Sequence, residues 1–291
     1  MDENMIMADD KLEAELKVLR SKEKIFTTLI YITMVSIFLF AIIGIIPISL
    51  ISLVLAIVFI AMTNDIRGKI QNLLNENIIN AVLKEALGDT VEYRPWEKIT
   101  PGSMMLPFPY SLENGSQHIK GVCNGMNIEL GNITFLNEEE HQNQDGTYTA
   151  KVPQFKGQWL ICDLGRELPC DVFISEVNKN DCKSMEGNVT SGNELFDNRF
   201  RVKADDPQTA HRILTPQMME YISVMADKLG CPVYLSFLRS GKLNVAVKTE
   251  REIFEFGNGK ADLEALRRKF ISELHGVIDV IDMLHLKEIN L

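Results

Sequence analysis

The chain has 291 residues, 46% of them hydrophobic, which is enough for one or two globular domains beside a membrane segment. Its formal net charge is −10, and residues 65–291 hold 25 Lys+Arg against 33 Asp+Glu, so the basic footprint of a nucleic-acid-binding surface is missing. Five cysteines, Cys123, Cys162, Cys170, Cys182 and Cys231, form no CxxC pair and match no zinc spacing. Free thiols in a reducing compartment fit them best, and one disulfide in an oxidising compartment is the alternative.

Residues 1–24 end in an amphipathic helix, with Leu12, Leu16 and Leu19 on one stripe between Glu and Lys. From Ile25 to Asn64 no charged residue occurs. That run is about twice the ~20 apolar residues that one helix needs to cross a bilayer. It predicts two transmembrane helices, about 25–43 and 46–63, joined by a turn at 44–47. Gly44 tolerates the dihedrals of a reversal, and Pro47 lacks the N–H that a helix interior needs. Five cations precede the spans (Lys11, Lys17, Arg20, Lys22, Lys24), Arg67 and Lys69 follow them, and the turn has no charge. Positive flanks stay inside, so both termini are expected to be cytoplasmic, in a two-span protein of the inner or plasma membrane.

A juxtamembrane amphipathic helix is expected over 64–90, with Ile66, Ile70, Leu73, Leu74, Asn77 and Ala81 on its stripe and Gly88 as its stop. Residues 91–116 form a Pro-rich lead-in whose Met104, Met105, Leu106 and Phe108 are apolar enough to dock on the domain beyond it. Residues 117–291 read as one cytoplasmic domain. "EEEHQNQDGTYTAKV" is expected to be a polar loop, and "FKGQWLICDLG" and "CDVFISEV" two strands joined at Glu167–Pro169. Phe200–Lys203 is a strand, Asp205–Leu214 a short helix capped by Asp205 or Asp206, and 216–229 a helix capped by Thr215 and closed by Gly230. "VYLSFLRSGKLNVAVKT" is a hairpin around Ser240–Gly241. "EIFEF" is a further strand, and 260–286 a long closing helix. The fold class is α+β: a transmembrane helical hairpin, then a globular domain with antiparallel sheet, hairpins and a long C-terminal helix.

"NELFDNRFRVKADDPQTAHRILTPQMMEYI" resembles the signature of domain-of-unknown-function family 3137, prokaryotic membrane proteins with two spans and a cytoplasmic domain. The matching features are Phe196 and Phe200 about a polar turn, the "VKADDP" step, "RILTP" before a helix, Phe155–Gly157 ("FKG") and Ser236–Phe237. The resemblance implies a membrane-anchored domain and carries no activity. It also implies a protein partner, since such members neighbour small helical membrane proteins of the LemA type. Read as residues, Asp205, Asp206, Pro207, Thr215 and Pro216 are cap chemistry, and Phe196, Phe200, Leu214 and Phe237 are core.

No nucleophile, Walker or dinucleotide motif occurs, and no catalytic residue, metal set or cofactor is assigned. Two groupings could carry chemistry. His211 stands near Asp205 and Asp206, as an acid/base or metal site would. His275, Asp279 and Asp282 share one face of the last helix at i, i+4 and i+7, a spacing that can hold a divalent metal. An N-cap and a solvated helix face explain the same residues. His118 and His141 are given no role, and His285 is read as a half-buried packing residue. The sequons at Asn114, Asn132 and Asn188 matter only if the domain lies outside the cell. The expected function is a membrane-anchored binding or scaffolding module, with the bilayer and a protein as partners and a homo-oligomer open. The alternative is a membrane-tethered enzyme, hydrolase-like, with an unfamiliar site.

Overall fold

The computed structural model describes residues 9–143, 146–177, 187–255 and 262–284. Cys182, His285 and the side chain of His141 lie outside the described residues. The chain divides into two compact units, Met1–Val82 with Phe256–Arg268, and Leu83–Glu255 with Lys269–Leu291.

The first unit is built on a helical hairpin. α1 runs without a break over Asp9–Ile43 and α2 over Ile46–Leu74. Gly44 makes the reversal at φ +83, and the Ile45 N–H closes the α1 end on the Phe40 carbonyl at 2.9 Å. Pro47 does not break a helix. It lies in the first turn of α2, where no N–H partner is needed. The buried positions of α2 are Ser52, Ala56, Thr63, Ile66 and Leu74. Ser52, Ala56 and Thr63 are small, the residue type that lets two helices pack closely. Phe26 and Phe59 meet at 6.0 Å between ring centroids, and Arg67 donates to Glu23 at 2.7 Å. Both helices are long and apolar enough to cross a membrane. Past α2 the chain makes a π-helical turn at Asn75–Ile79 and continues as α3, Asn80–Leu87. Gly88, at φ +85, ends it as the sequence indicates.

The second unit is one eight-stranded antiparallel sheet. Its strands are β1 (Glu92–Arg94), β2 (Leu112–Cys123), β3 (Met126–Asn143), β4 (Gly146–Asp163) and β5 (Val172–Glu176). Then come α4 (Glu194–Arg199), β6 (Phe200–Ala204), α5 (Pro207–Ile213), α6 (Pro216–Leu229), β7 (Val233–Phe237), β8 (Lys242–Val247) and α7 (Leu263–Met283). The spatial order is β1-β2-β3-β4-β8-β7-β5-β6, so the chain before and after Glu194 builds a single sheet.

Three expectations change. The polar stretch after Leu136 is no loop: β3 and β4 pair from Ile128↔Cys162 out to His141↔Tyr148 and beyond. An exposed ribbon buries neither face, so the apolar alternation that reveals a strand is missing there. β4 and β5 are not a hairpin. β4 lies between β3 and β8, whereas β5 lies between β7 and β6. Ile253 and Phe254 form no strand, because both side chains point inward and Phe254 sits at φ +59. Asn132 replaces the strand partner, with Oδ1 accepting from the Ile253 N–H at 2.8 Å.

On one sheet face Ile133, Phe135, Phe155, Trp159, Ile161, Tyr234 and Ala246 pack with Ile99, and the lead-in lays Met104, Leu106 and Phe108 over them. Polar groups fix the lead-in. The Gly102 N–H and Trp159 Nε1 both donate to Asn244 Oδ1, at 3.1 and 3.0 Å, and Ser175 donates to the Met105 carbonyl. Gly157 of the "FKG" step is a close-approach glycine: a Cβ there would lie 1.9 Å from the Val247 carbonyl oxygen. On the other face Leu130, Leu160, Val245 and Val247 line a groove together with Leu229 of α6 and Val277 and Val280 of α7.

Candidate functional site

Asp206 and His211 sit on the short helix after β6. Asp206 is the N-cap of α5, accepting from the N–H groups of Gln208 at 3.1 Å and Thr209 at 3.0 Å and from the Thr209 hydroxyl at 2.6 Å. Those hydrogen bonds, led by the Thr209 hydroxyl, hold its carboxyl below the usual range. Asp205 and His211 are exposed to solvent.

His275, Asp279 and Asp282 do share a flank of α7, and the two acids have protein partners. Asp279 accepts from Lys228 of α6 at 2.7 Å, and Asp282 from Asn124 in the β2–β3 turn at 2.6 Å. His275 is exposed. Among the described residues no group of three or more His, Cys, Asp or Glu is placed to hold a metal ion.

A second polar centre ties four elements together. Asn193 caps α4 by accepting from Leu195 and Phe196, which sets Phe196 and Phe200 as stacked rings 4.6 Å apart. Arg199 at the end of α4 donates to Glu176 of β5 at 2.8 Å and to Asp227 of α6 at 2.6 Å. The other Glu176 oxygen accepts from the Val233 N–H at 3.0 Å. Burial works against the guanidinium charge, but Asp227 and Glu176 outweigh it and raise the Arg199 pKa. The cleft beside it, about 370 Å³, also exposes one flank of Cys231.

The feature with the make-up of a ligand site is a groove between α7 and the sheet. Its inner compartment, about 230 Å³, is floored by Leu130, Leu160, Val245 and Val247 and roofed by Val277 and Val280. An adjoining compartment of about 220 Å³ opens among Arg251, Glu252, Glu255 and Lys269. The two share Gln158, Thr249, Arg251, Glu273 and Val277. An apolar floor with a few converging polar groups is the usual composition of a small-molecule pocket.

Residues 153–286 match the family described as protein of unknown function, DUF3137. The DUF3137 segment runs from β4 to the end of α7 and falls short of half the chain. Every groove residue named here except Leu130 lies inside it, as does the Glu176–Arg199–Asp227 centre. The two apolar helices lie outside it. Among curated proteins and among solved structures, nothing matches the chain.

Sequence reasoning named neither the groove nor the Arg199 centre. The groove's lining comes from strands far apart in the chain, so no local spacing reveals it. One signal was available: Gly276, in "SELHGVIDV", is a glycine in the middle of a helix.

Proposed function

We propose that the chain is a two-span integral membrane protein whose second unit is a binding module held at the membrane surface. The observation that supports this best is the surface of the helical hairpin. On α1, Phe38 is 71% exposed and Ile42 81%, with Tyr31 and Val35 nearly as open, and on α2 Ile51 and Val54 are each 60% exposed. Apolar side chains facing outward from Ile25 to Ile43 of α1 and from Ile46 to Met62 of α2 need a covering, and lipid supplies it without a partner.

Two crossings return the chain to the side it started from, and the basic flanks favour the cytoplasm for that side. The binding surface is the groove under α7, and the partner is a small ligand or a membrane protein, with LemA-type neighbours as the resemblance indicates. A membrane-tethered hydrolase would need a nucleophile and a base within hydrogen-bond reach, and neither His211 nor His275 has such a neighbour among the described residues.

The test uses the thiols. Cys123, Cys162 and Cys170 are buried, and Cys231 is half-buried. Intact cells are treated with a membrane-impermeant maleimide, quenched, lysed and relabelled with and without denaturant. The anchored, cytoplasmic reading expects labelling only after lysis, at Cys231 before the buried thiols, with the protein retained in carbonate-washed membranes. Labelling in intact cells would place the module outside. Release by carbonate would overturn the spans.

A further inference from the structure

The groove carries more than a place to bind. We propose that it takes a single-chain amphiphile with an anionic head, an alkyl carboxylate of medium length, with its tail against the sheet and its head at Arg251. The inference deepens the binding-module reading and rests on it.

Three observations converge. The first is the inner compartment. Leu130, Leu160, Val245, Val247, Val277 and Val280 give it an apolar floor and roof, and Gln158, Thr249, Arg251, Ser272 and Glu273 give it a polar rim. An apolar bed with a few polar groups at one side suits a guest with one apolar and one polar end. The second is Gly276. It lines the compartment from α7, and a Cβ added to it would meet nothing within 4 Å. A mid-helix glycine costs about 1 kcal/mol against alanine, and no close backbone approach requires one here. Its effect is to leave the groove open.

The third is charge. Glu273 accepts from the Phe254 N–H at 2.8 Å and lies 3.6 Å from Lys269. Lys269 donates to the Glu255 carbonyl, and Glu252 pairs with Lys156 at 3.2 Å. The Arg251 guanidinium has no partner among the described residues, although its carbonyl is held by Gln158 at 3.0 Å and Thr249 at 2.8 Å. Glu255, the remaining uncommitted charge, lines only the outer compartment. The inner compartment thus has one uncommitted charge, and it is a planar cation suited to a carboxylate. Its backbone is fixed at the mouth by two hydrogen bonds.

The experiment titrates the full chain, in phosphatidylcholine nanodiscs, with decanoate, decanol and butyrate, using calorimetry against empty nanodiscs. Decanoate binds saturably, one per chain, and decanol and butyrate each bind at least about tenfold more weakly. Gly276→Leu, which fills the groove from the helix, abolishes decanoate binding while thermal unfolding stays at or above the wild-type temperature. Arg251→Met brings decanoate down to the affinity of decanol. The proposal is overturned if decanoate shows no saturable heat, if Gly276→Leu binds it like wild type, or if Arg251→Met leaves the preference for the anion intact. Failure of the membrane anchor would appear in carbonate extraction instead, so the two readings fail separately.

Discussion

Replacing Arg199 by methionine keeps much of the side chain's volume and removes the charge that joins α4, β5 and α6. The Arg199 and Glu176 side chains are 30% and 17% exposed, and Asp227 is 72% exposed. Asp227 is therefore in water and contributes little. Glu176 is not: without Arg199 it keeps only the Val233 N–H, and a mostly buried carboxylate loses its counter-charge. Stripping one partner from a fully buried pair costs ~3–5 kcal/mol, and an exposed pair is worth ~0–1 kcal/mol. This pair lies between, at about 2 kcal/mol. In a domain of this size that is a fall of about 4–8 °C in Tm. The decisive variant is Arg199→Met with Glu176→Gln. Glutamine still accepts from Val233 and has no charge to strand, so the double variant should recover the greater part of the loss. Differential scanning fluorimetry on the purified full chain reads both. If Arg199→Met unfolds at the wild-type temperature, or the added Glu176→Gln gives no recovery, the stranded-charge reasoning is wrong.

Single sites elsewhere give further expected outcomes. Gly276→Ala should raise Tm by about 2–4 °C, since it relieves ~1 kcal/mol of helix penalty and meets no neighbour. Asp206→Ala should lower Tm through loss of the α5 cap, whereas Asp205→Ala should change it little; both are read from thermal unfolding. Burial raises the Glu129 pKa, but His118 at 3.0 Å and the Lys120 charge outweigh it and leave it lowered. A lowered carboxylate stabilises the fold above its unfolded pKa, and that stabilisation is lost as pH falls through the folded value, so Glu129→Gln should lower stability at neutral pH, and the difference from wild type should close as the pH falls, which flattens the acid end of a stability–pH curve. Burial, with Cys123 nearby, pushes the Cys162 thiol up to about 12. It should stay unmodified by maleimide at pH 8 in the native protein, while Cys231 reacts, as peptide mass mapping would record.

Much of the fold was legible where one residue type has one physical use. The two long apolar helices follow from a long uncharged run, Asp206–Pro207 and Thr215–Pro216 are helix starts because a polar cap precedes a proline, and Gly230 ends α6 at φ +60. β7 and β8 are buried on both faces, and the hairpin is visible as two short apolar runs about the Ser240–Gly241 turn. Where the environment breaks that link, the reading failed. The outer β3–β4 ribbon is exposed on both faces, and Ile253–Phe254 is held inward by the side chain of Asn132 rather than by a ladder. Strand neighbours were illegible for another reason: β4 finds β8 far along the chain, a pairing fixed by tertiary packing and by Gly157 admitting the Val247 carbonyl. The groove belongs to the same class, since a gap between α7 and the three strands β3, β4 and β8 is a property of their assembly. Of the acidic and histidine groupings, the two acids on α7 bond to Lys228 of α6 and to Asn124 of the β2–β3 turn, partners that no local spacing reveals.

The way the lead-in covers the sheet bears on where this protein can be cut. The DUF3137 match begins at Pro153, inside β4. A fragment starting there would have no β3 to pair with β4, and Phe155, Trp159 and Tyr234 would lose Ile99, Met104, Leu106 and Phe108. It would carry a bare strand edge beside a bare aromatic face, the combination that drives chains to aggregate. The border of the recognisable family segment is therefore not a border at which folding can begin. The shortest soluble piece must start upstream of β1, and a library of fragments trimmed to the family match would report insolubility that belongs to the trimming.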